Sequence, residues 1–274
     1  MSTIDVYWPF SAAVVVPSGA TLDEFREWVH SPSFPEKTKI SYIEGQIFIE
    51  PGAEQPVEIP HSGMTLDDFR NWVYSNDYPE HGRVTYIEGR VIIDMSPERI
   101  DSHNQVKSAI NRTLDPMVHE SKLGMYYPDG AWVTNSAANL SSEPDAMFAF
   151  WETLRSDKLA LKTKRPEDED SIELTGSPDW VCEIISTSTE KYDKKDLVAS
   201  YYKAGIREYW LIDARRDRLD FQLLVWTPEG FQIAQPRDGW HASPVFGREF
   251  QLTRSRNQIG RWDYELRQRQ VDAV

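Results

Sequence analysis

Glu183 stands inside the apolar run Trp180-Val181-Cys182-Glu183-Ile184-Ile185. Such a run reads as a strand covered on both faces. An ionised carboxylate there is costly unless a cation, hydrogen-bond donors or a metal compensates it. Glu183 is therefore the first candidate for chemistry. Asp145 opens a second apolar strand, Pro144-Asp145-Ala146-Met147-Phe148-Ala149-Phe150, where Pro-Asp marks either a site acid or a turn. Asp179 lies on the same strand face as Glu183 with Val181 between them, as a third ligand or a cap on the strand's start. Two carboxylates on neighbouring strand ends would make an all-oxygen site of the kind Mg²⁺ prefers. A nearby lysine would then stabilise transition-state charge or position an attacking water. Lys191, Lys194 and Lys195 open the helix after the Glu183 strand. Either one of them turns back over Glu183 or all three are solvated. His103, in Asp101-Ser102-His103-Asn104, is a cap-region histidine or a substrate-contacting or general-base residue. Glu88 and Glu44 occupy hairpin turns; Glu44 reads as exposed, while Glu88 is open between an exposed turn and a site role.

The elements that must position these groups are legible in part. Residues 179–213 read as strand, polar loop, helix, glycine stop at Gly205, and strand. Residues 18–50 and 62–94 repeat each other without gaps at an offset of 44, with 17 of 33 positions identical, which marks an internal duplication. Each copy has a threonine N-cap (Thr21, Thr65) with an acid three residues on, an amphipathic helix, a proline-containing loop and a hairpin. PGAEQPVEIP then reads as a linker. Val106, Ile110, Leu114 and Val118 recur at helical spacing, and Gly124 is the expected C-cap. Residues 131–134 and 146–150 read as strands around a turn-rich stretch, and residues 152–165 as a loop or short helix. Leu219–Trp226 and Gly230–Ala234 form the next hairpin, Glu249–Thr253 an edge strand, and the polar, Arg-rich tail from Ser255 carries no assigned structure. The expected division is an accessory copy and linker over 1–60 and a main domain over 61–274.

The net charge of −14 argues against indiscriminate coating of nucleic acid, because Lys and Arg supply that affinity. It does not exclude a nucleic-acid enzyme, since a bound divalent ion reverses the local sign. Cys182 is the only cysteine, so neither an intramolecular disulfide nor a cysteine zinc site can form, which fits a reducing cytoplasm. No run of about 18 apolar residues is present, so no membrane span is expected. The stretch Phe10–Val16 lacks the basic flank of a signal peptide and reads as a short strand or packing arm. Nucleotide-binding glycine loops, GxSxG and HExxH are absent from the sequence.

Several of these stretches together resemble the Uma2 family, which belongs to the PD-(D/E)XK restriction-endonuclease-like superfamily. They are Tyr-Ile-Glu-Gly, Met-Ser-Pro, His103-Asn104, Glu143-Pro144-Asp145, the block Pro178–Thr189, and Tyr201 with Ala204–Asp213. The resemblance covers about residues 65–230. It implies an α/β fold with an α-β-β-β-α-β core, a mixed sheet flanked by helices, to which the duplicated helix-hairpin unit is added. It implies metal-dependent hydrolysis of DNA phosphodiesters, with Asp145 as first and Glu183 as second ligand of a Mg²⁺ or Mn²⁺ ion, and with His103 and Glu88 lining the site. The superfamily lysine lies two residues after the second acid, where this chain has Ile185. A lysine moved to the following helix would restore it, with Lys195 ahead of Lys191 and Lys194. Without such a lysine the chain would be a non-cleaving binding or regulatory module. A homodimer fits an enzyme that cuts both strands.

Overall fold

The computed structural model describes residues 14–17, 21–31, 40–43, 45–49, 57–59, 63–75, 78, 83–94, 98–165, 167–186, 190 and 192–271. Glu44, His61, His81 and Lys191 lie outside them. The chain forms two compact units, Met1–Ser96 and Pro97–Val274.

The first unit holds β1 (Val14–Pro17), α1 (Leu22–Val29), β2 (Ile40–Ile43), β3 (Gln46–Ile49), β4 (Val57–Ile59), α2 (Leu66–Val73), β5 (Arg83–Ile87) and β6 (Arg90–Asp94). The duplication is structural as well as sequential. Thr21 Oγ1 accepts from the Glu24 N–H at 3.3 Å, and Glu24 Oε2 accepts from the Thr21 N–H at 2.7 Å. Thr65 and Asp68 close the same box at 3.2 and 3.0 Å, so aspartate serves as well as glutamate here. Phe25 meets Trp28 and Phe69 meets Trp72 edge-on at the same 5.9 Å. Within the linker stretch, Val57–Ile59 is a strand: it pairs with β6 in register Val57↔Ile93.

The second unit begins with a π-helical turn (Ile100–Asn104) that runs into α3 (Gln105–Ser121). There follow β7 (Gly124–Tyr127), β8 (Trp132–Asn135), β9 (Leu140–Ser142), β10 (Ala146–Phe150), α4 (Trp151–Arg155), β11 (Leu159–Thr163), β12 (Ser171–Gly176) and β13 (Trp180–Ile184). A second π-helical turn (Tyr192–Asp196) leads into α5 (Leu197–Lys203). The remaining strands are β14 (Glu208–Asp213), β15 (Asp220–Thr227), β16 (Gly230–Ile233), β17 (His241–Ser243), β18 (Arg248–Arg256) and β19 (Trp262–Gln270).

The central sheet has the order β16-β15-β14-β13-β10-β7. Strands β7, β10 and β13 form an antiparallel run, α5 crosses over, and β14 lies parallel to β13. In chain order α3, β7, β10, β13, α5 and β14 are the expected α-β-β-β-α-β core, a mixed sheet. Strands β8–β9 and β11–β12 are inserted into it.

One side of this sheet is covered by α3, through Val106, Ile110, Leu114 and Val118, and by the β18–β19 hairpin. That hairpin corrects the reading of the tail. Phe250 and Leu252 on β18 alternate with polar residues, as do Tyr264 and Leu266 on β19, and all four are buried. The interleaved arginines hide this period-two pattern in the sequence. The α3 helix ends differently from expectation: Lys122 takes the left-handed cap at φ 51°. Gly124 begins β7 instead, where any side chain would strike the Ala149 carbonyl.

Candidate active site

Asp145 sits at the mouth of β10, one step beyond the last paired position Ala146↔Cys182, opposite Glu183 on β13. Both acids are nearly inaccessible, at 1% and 4% exposure. The Ile184 N–H donates to Asp145 Oδ2 at 2.7 Å and ties the two strand ends together. Glu183 Oε1 accepts from the Tyr201 hydroxyl at 2.7 Å. Because that proton is committed, Ser142 Oγ is the donor in its 3.2 Å contact with Tyr201. Tyr201 comes from α5, so the crossover helix positions the second acid.

The first acid is met from α3. His103 Nε2 lies 3.3 Å and Lys107 Nζ 3.2 Å from Asp145 Oδ1. His103 and Lys107 are one helical turn apart, which brings both to one face. Lys107 Nζ also lies 3.1 Å from Glu98 Oε1 and 3.1 Å from Asp129 Oδ2. Two cations thus compensate a carboxylate that water cannot reach. Burial opposes protonation of His103, but the flanking Asp145 and Glu98 carboxylates outweigh it and raise its pKa to about 9. Contact with His103, and then the charge of Lys107, hold Glu98 down to about 2 against its own burial. His103 Nδ1 is 3.6 Å from Glu98 Oε2, an ion-pair distance too long for a hydrogen bond, and this buried nitrogen has no hydrogen-bond partner.

The sequence candidates are distributed as follows. His103 and Asp145 are in contact, and Asp145 is opposed to Glu183. Lys195 is exposed on the turn before α5 and makes no ion pair among the described residues. Lys194 pairs with Glu190 at 2.8 Å. Glu88 occupies the β5–β6 turn of the first unit, exposed, at φ 49°. Asp179 caps the far end of β13: its Oδ2 accepts from the Phe150 N–H at 2.9 Å, and Arg207 lies 3.3 Å away. Ile185, at the usual lysine position, is buried. Lys107, Glu98 and Tyr201 escape a reading of the sequence as site residues. Lys107 does leave a signal, four residues after His103 on a helix face otherwise apolar.

The family model described as "Uma2: Putative restriction endonuclease" matches residues 66–255, more than half of the chain. The chain belongs to the Uma2 family. Among solved structures, one similar to this Uma2 protein is the crystal structure of "a putative nuclease belonging to DUF820" from Anabaena variabilis ATCC 29413. The two share 20% identity over 67% of this chain and 90% of that one, at a TM-score of 0.47. Among curated proteins, none matches. No helix among the described residues is long and apolar enough to cross a membrane.

The restriction-endonuclease-like superfamily generally uses divalent metals, and the residues of this Uma2 chain fit one. Ligand atoms of Glu98, His103 and Asp145 lie within 4.8 Å of one another, and Glu183 follows Cys182, the last residue of β13 paired with β10.

Proposed function

We propose that this protein is a metal-dependent endonuclease that hydrolyses DNA phosphodiester bonds at the mouth of β10 and β13. The observation that carries the reading is the opposition of two buried acids, Asp145 and Glu183, with His103 and Lys107 at the first of them. Asp145 and Glu183, with Glu98 beside Asp145 in the cluster, are the groups that would hold Mg²⁺ or Mn²⁺. Such an ion supplies a Lewis acid for a phosphoryl oxygen and lowers the pKa of a bound water.

The chain's own residues do the rest. Tyr201 fixes the Glu183 carboxylate, and the Ile184 amide fixes that of Asp145. The Lys107 ammonium is a compact positive charge beside Asp145 that would offset charge building on phosphate. His103, cationic at neutral pH, is able to give a proton to a leaving oxygen. Lys107 is thereby our candidate for the missing superfamily lysine, in competition with the exposed Lys195. Burial of Ile185 favours a second reading, a nuclease-fold module that binds without cleaving.

Cleavage of supercoiled plasmid with Mg²⁺ or Mn²⁺ tests the proposal. Wild type should nick or linearise the plasmid, and Asp145→Ala and Glu183→Ala should be inactive. Equal cleavage by all three would overturn the site; no cleavage by the folded wild type would favour the binding module. Lys107→Met and Lys195→Met, assayed together, decide between the lysines.

A further inference from the structure

The chain is strongly acidic, yet residues 248–271 carry six arginines (248, 254, 256, 261, 267 and 269), no lysine and only three acids, a local net charge of 6 − 3 = +3. These residues are the β18–β19 hairpin. Its inward positions fill the core as far as Leu252 and Tyr264; beyond them the hairpin continues as a basic tip. There Arg256 is register-opposed to Trp262, with its guanidinium 3.6 Å from the ring centroid, and Arg254 covers the same ring at 4.1 Å. Ile259, at the turn, is 81% exposed. Arg112, Arg254 and Arg267, together with Asp263 and Glu265, line an open cleft of about 510 Å³ at the base of this tip.

The tip is tied to the candidate site. Arg261 Nη1 lies 3.0 Å from Asp101 Oδ2, and Asp101 belongs to the π-helical turn that carries His103. A guanidinium held flat on an indole has lost little further freedom when it meets an anion, and its planar fork matches a phosphate. Two-stranded ribbons also fit the major groove of a duplex. In a chain of net charge −14, affinity for a polyanion has to come from such a concentrated basic surface.

We propose that the β18–β19 tip is the surface on which the phosphodiester backbone of duplex DNA docks, with Arg256 and Arg261 as its phosphate-contacting residues. Arg254 has a supporting role: it donates to the carbonyls of Ala214, Arg216 and Asp217 and holds Trp262 in place. The inference rests on the reading that this protein acts on nucleic acid, and it names the docking surface that leads to that same site.

The test is binding of a fluorescein-labelled 30-base-pair duplex to the full chain in EDTA, where nothing is cleaved, as a function of salt. Arg256→Gln/Arg261→Gln should bind about tenfold more weakly, with a salt slope shallower by about two, at roughly 0.9 per phosphate contact. The charge-matched Arg155→Gln/Arg237→Gln, at exposed positions outside the hairpin, should bind as wild type does. Ile259→Glu, a change at a solvent-exposed turn that leaves the core untouched, should weaken binding as well. Equal affinity of the tip double variant and wild type would overturn the inference, as would equal loss in the charge-matched control or tighter binding to anionic phospholipid vesicles than to the duplex. Plasmid cleavage by Asp145→Ala is a separate readout. A tip that binds in a protein that never cleaves removes the site reading alone, and cleavage without tip dependence removes this inference alone.

Discussion

Lys107 Nζ lies 3.2 Å from Asp145 Oδ1, with the lysine side chain 10% exposed and the aspartate 1%. Breaking such a pair leaves a buried carboxylate short of a cation. Lys107→Met should lose about 3 kcal/mol of stability at pH 7, and Lys107→Arg should recover part of it. Urea unfolding measures both. If Lys107→Met is as stable as wild type, the ammonium does not compensate Asp145.

Tyr201 donates to Glu183 Oε1 at the centre of the second unit. Tyr201→Phe preserves the ring that meets Tyr209 edge-on and removes only the hydroxyl. The loss should be about 2 kcal/mol, from a buried acceptor deprived of a donor. Plasmid cleavage should fall with it, because the Glu183 carboxylate loses the hydrogen bond from Tyr201. Unchanged cleavage at unchanged stability would separate Glu183 from the chemistry.

Asp179 sits on the same strand as Glu183, but its partners are Phe150 and Arg207. Asp179→Ala strands the Phe150 N–H and should cost about 1–3 kcal/mol in urea unfolding. Cleavage per folded molecule should stay at the wild-type level. A collapse of specific activity in folded Asp179→Ala would make it a third ligand after all.

Glu208 is fully buried, and burial lifts its pKa to about 7 although Ser243, Val245 and Trp210 donate to it. The folded state holds this proton where the unfolded chain, near 4.5, has lost it. The associated stability is present below about pH 4.5 and drains away as pH rises to 7. The rise corresponds to about 3 kcal/mol, at about 1.4 kcal/mol per pKa unit. In Glu208→Gln the thermal midpoint should fall less between pH 5 and 7 than in wild type. Parallel curves would exclude Glu208 as the titrating group.

Glu183 is legible in the sequence because a charge within an apolar strand violates an energetic rule that few residues break without compensation; Asp145, at the opening of its strand, is left between a site acid and a turn until the family resemblance selects it. Helix α3 and strands β10, β13 and β14 are legible because their apolar runs are sharply bounded, whereas β7, β9, β11 and β12 are not: they are short, and polar or glycine residues interrupt them. Lys107 was not, because a lysine near a helix start ordinarily points to water. Its burial depends on Glu98, Asp129 and Asp145, which only the folded chain gathers. Strand β19 was masked by its own arginines, and the linker strand Val57–Ile59 by its brevity: three residues carry too little pattern to separate a strand from extended coil.

The helix that bears His103 and Lys107 is fastened by residues far along the chain. Arg112 Nη2 donates to the Tyr264 carbonyl at 3.1 Å and Thr113 Oγ1 to that of Leu266 at 2.8 Å, across separations of 152 and 153 residues. A nascent chain that has reached only residue 250 holds α3 with part of its apolar face still wet. The candidate site therefore gains these ties only when residues 262–270 are made, across a long sequence separation. Until then Lys107 and the adjoining His103 sit on a helix that lacks these two ties. A protease clipping the β18–β19 turn would return them to that state without touching any residue of the site.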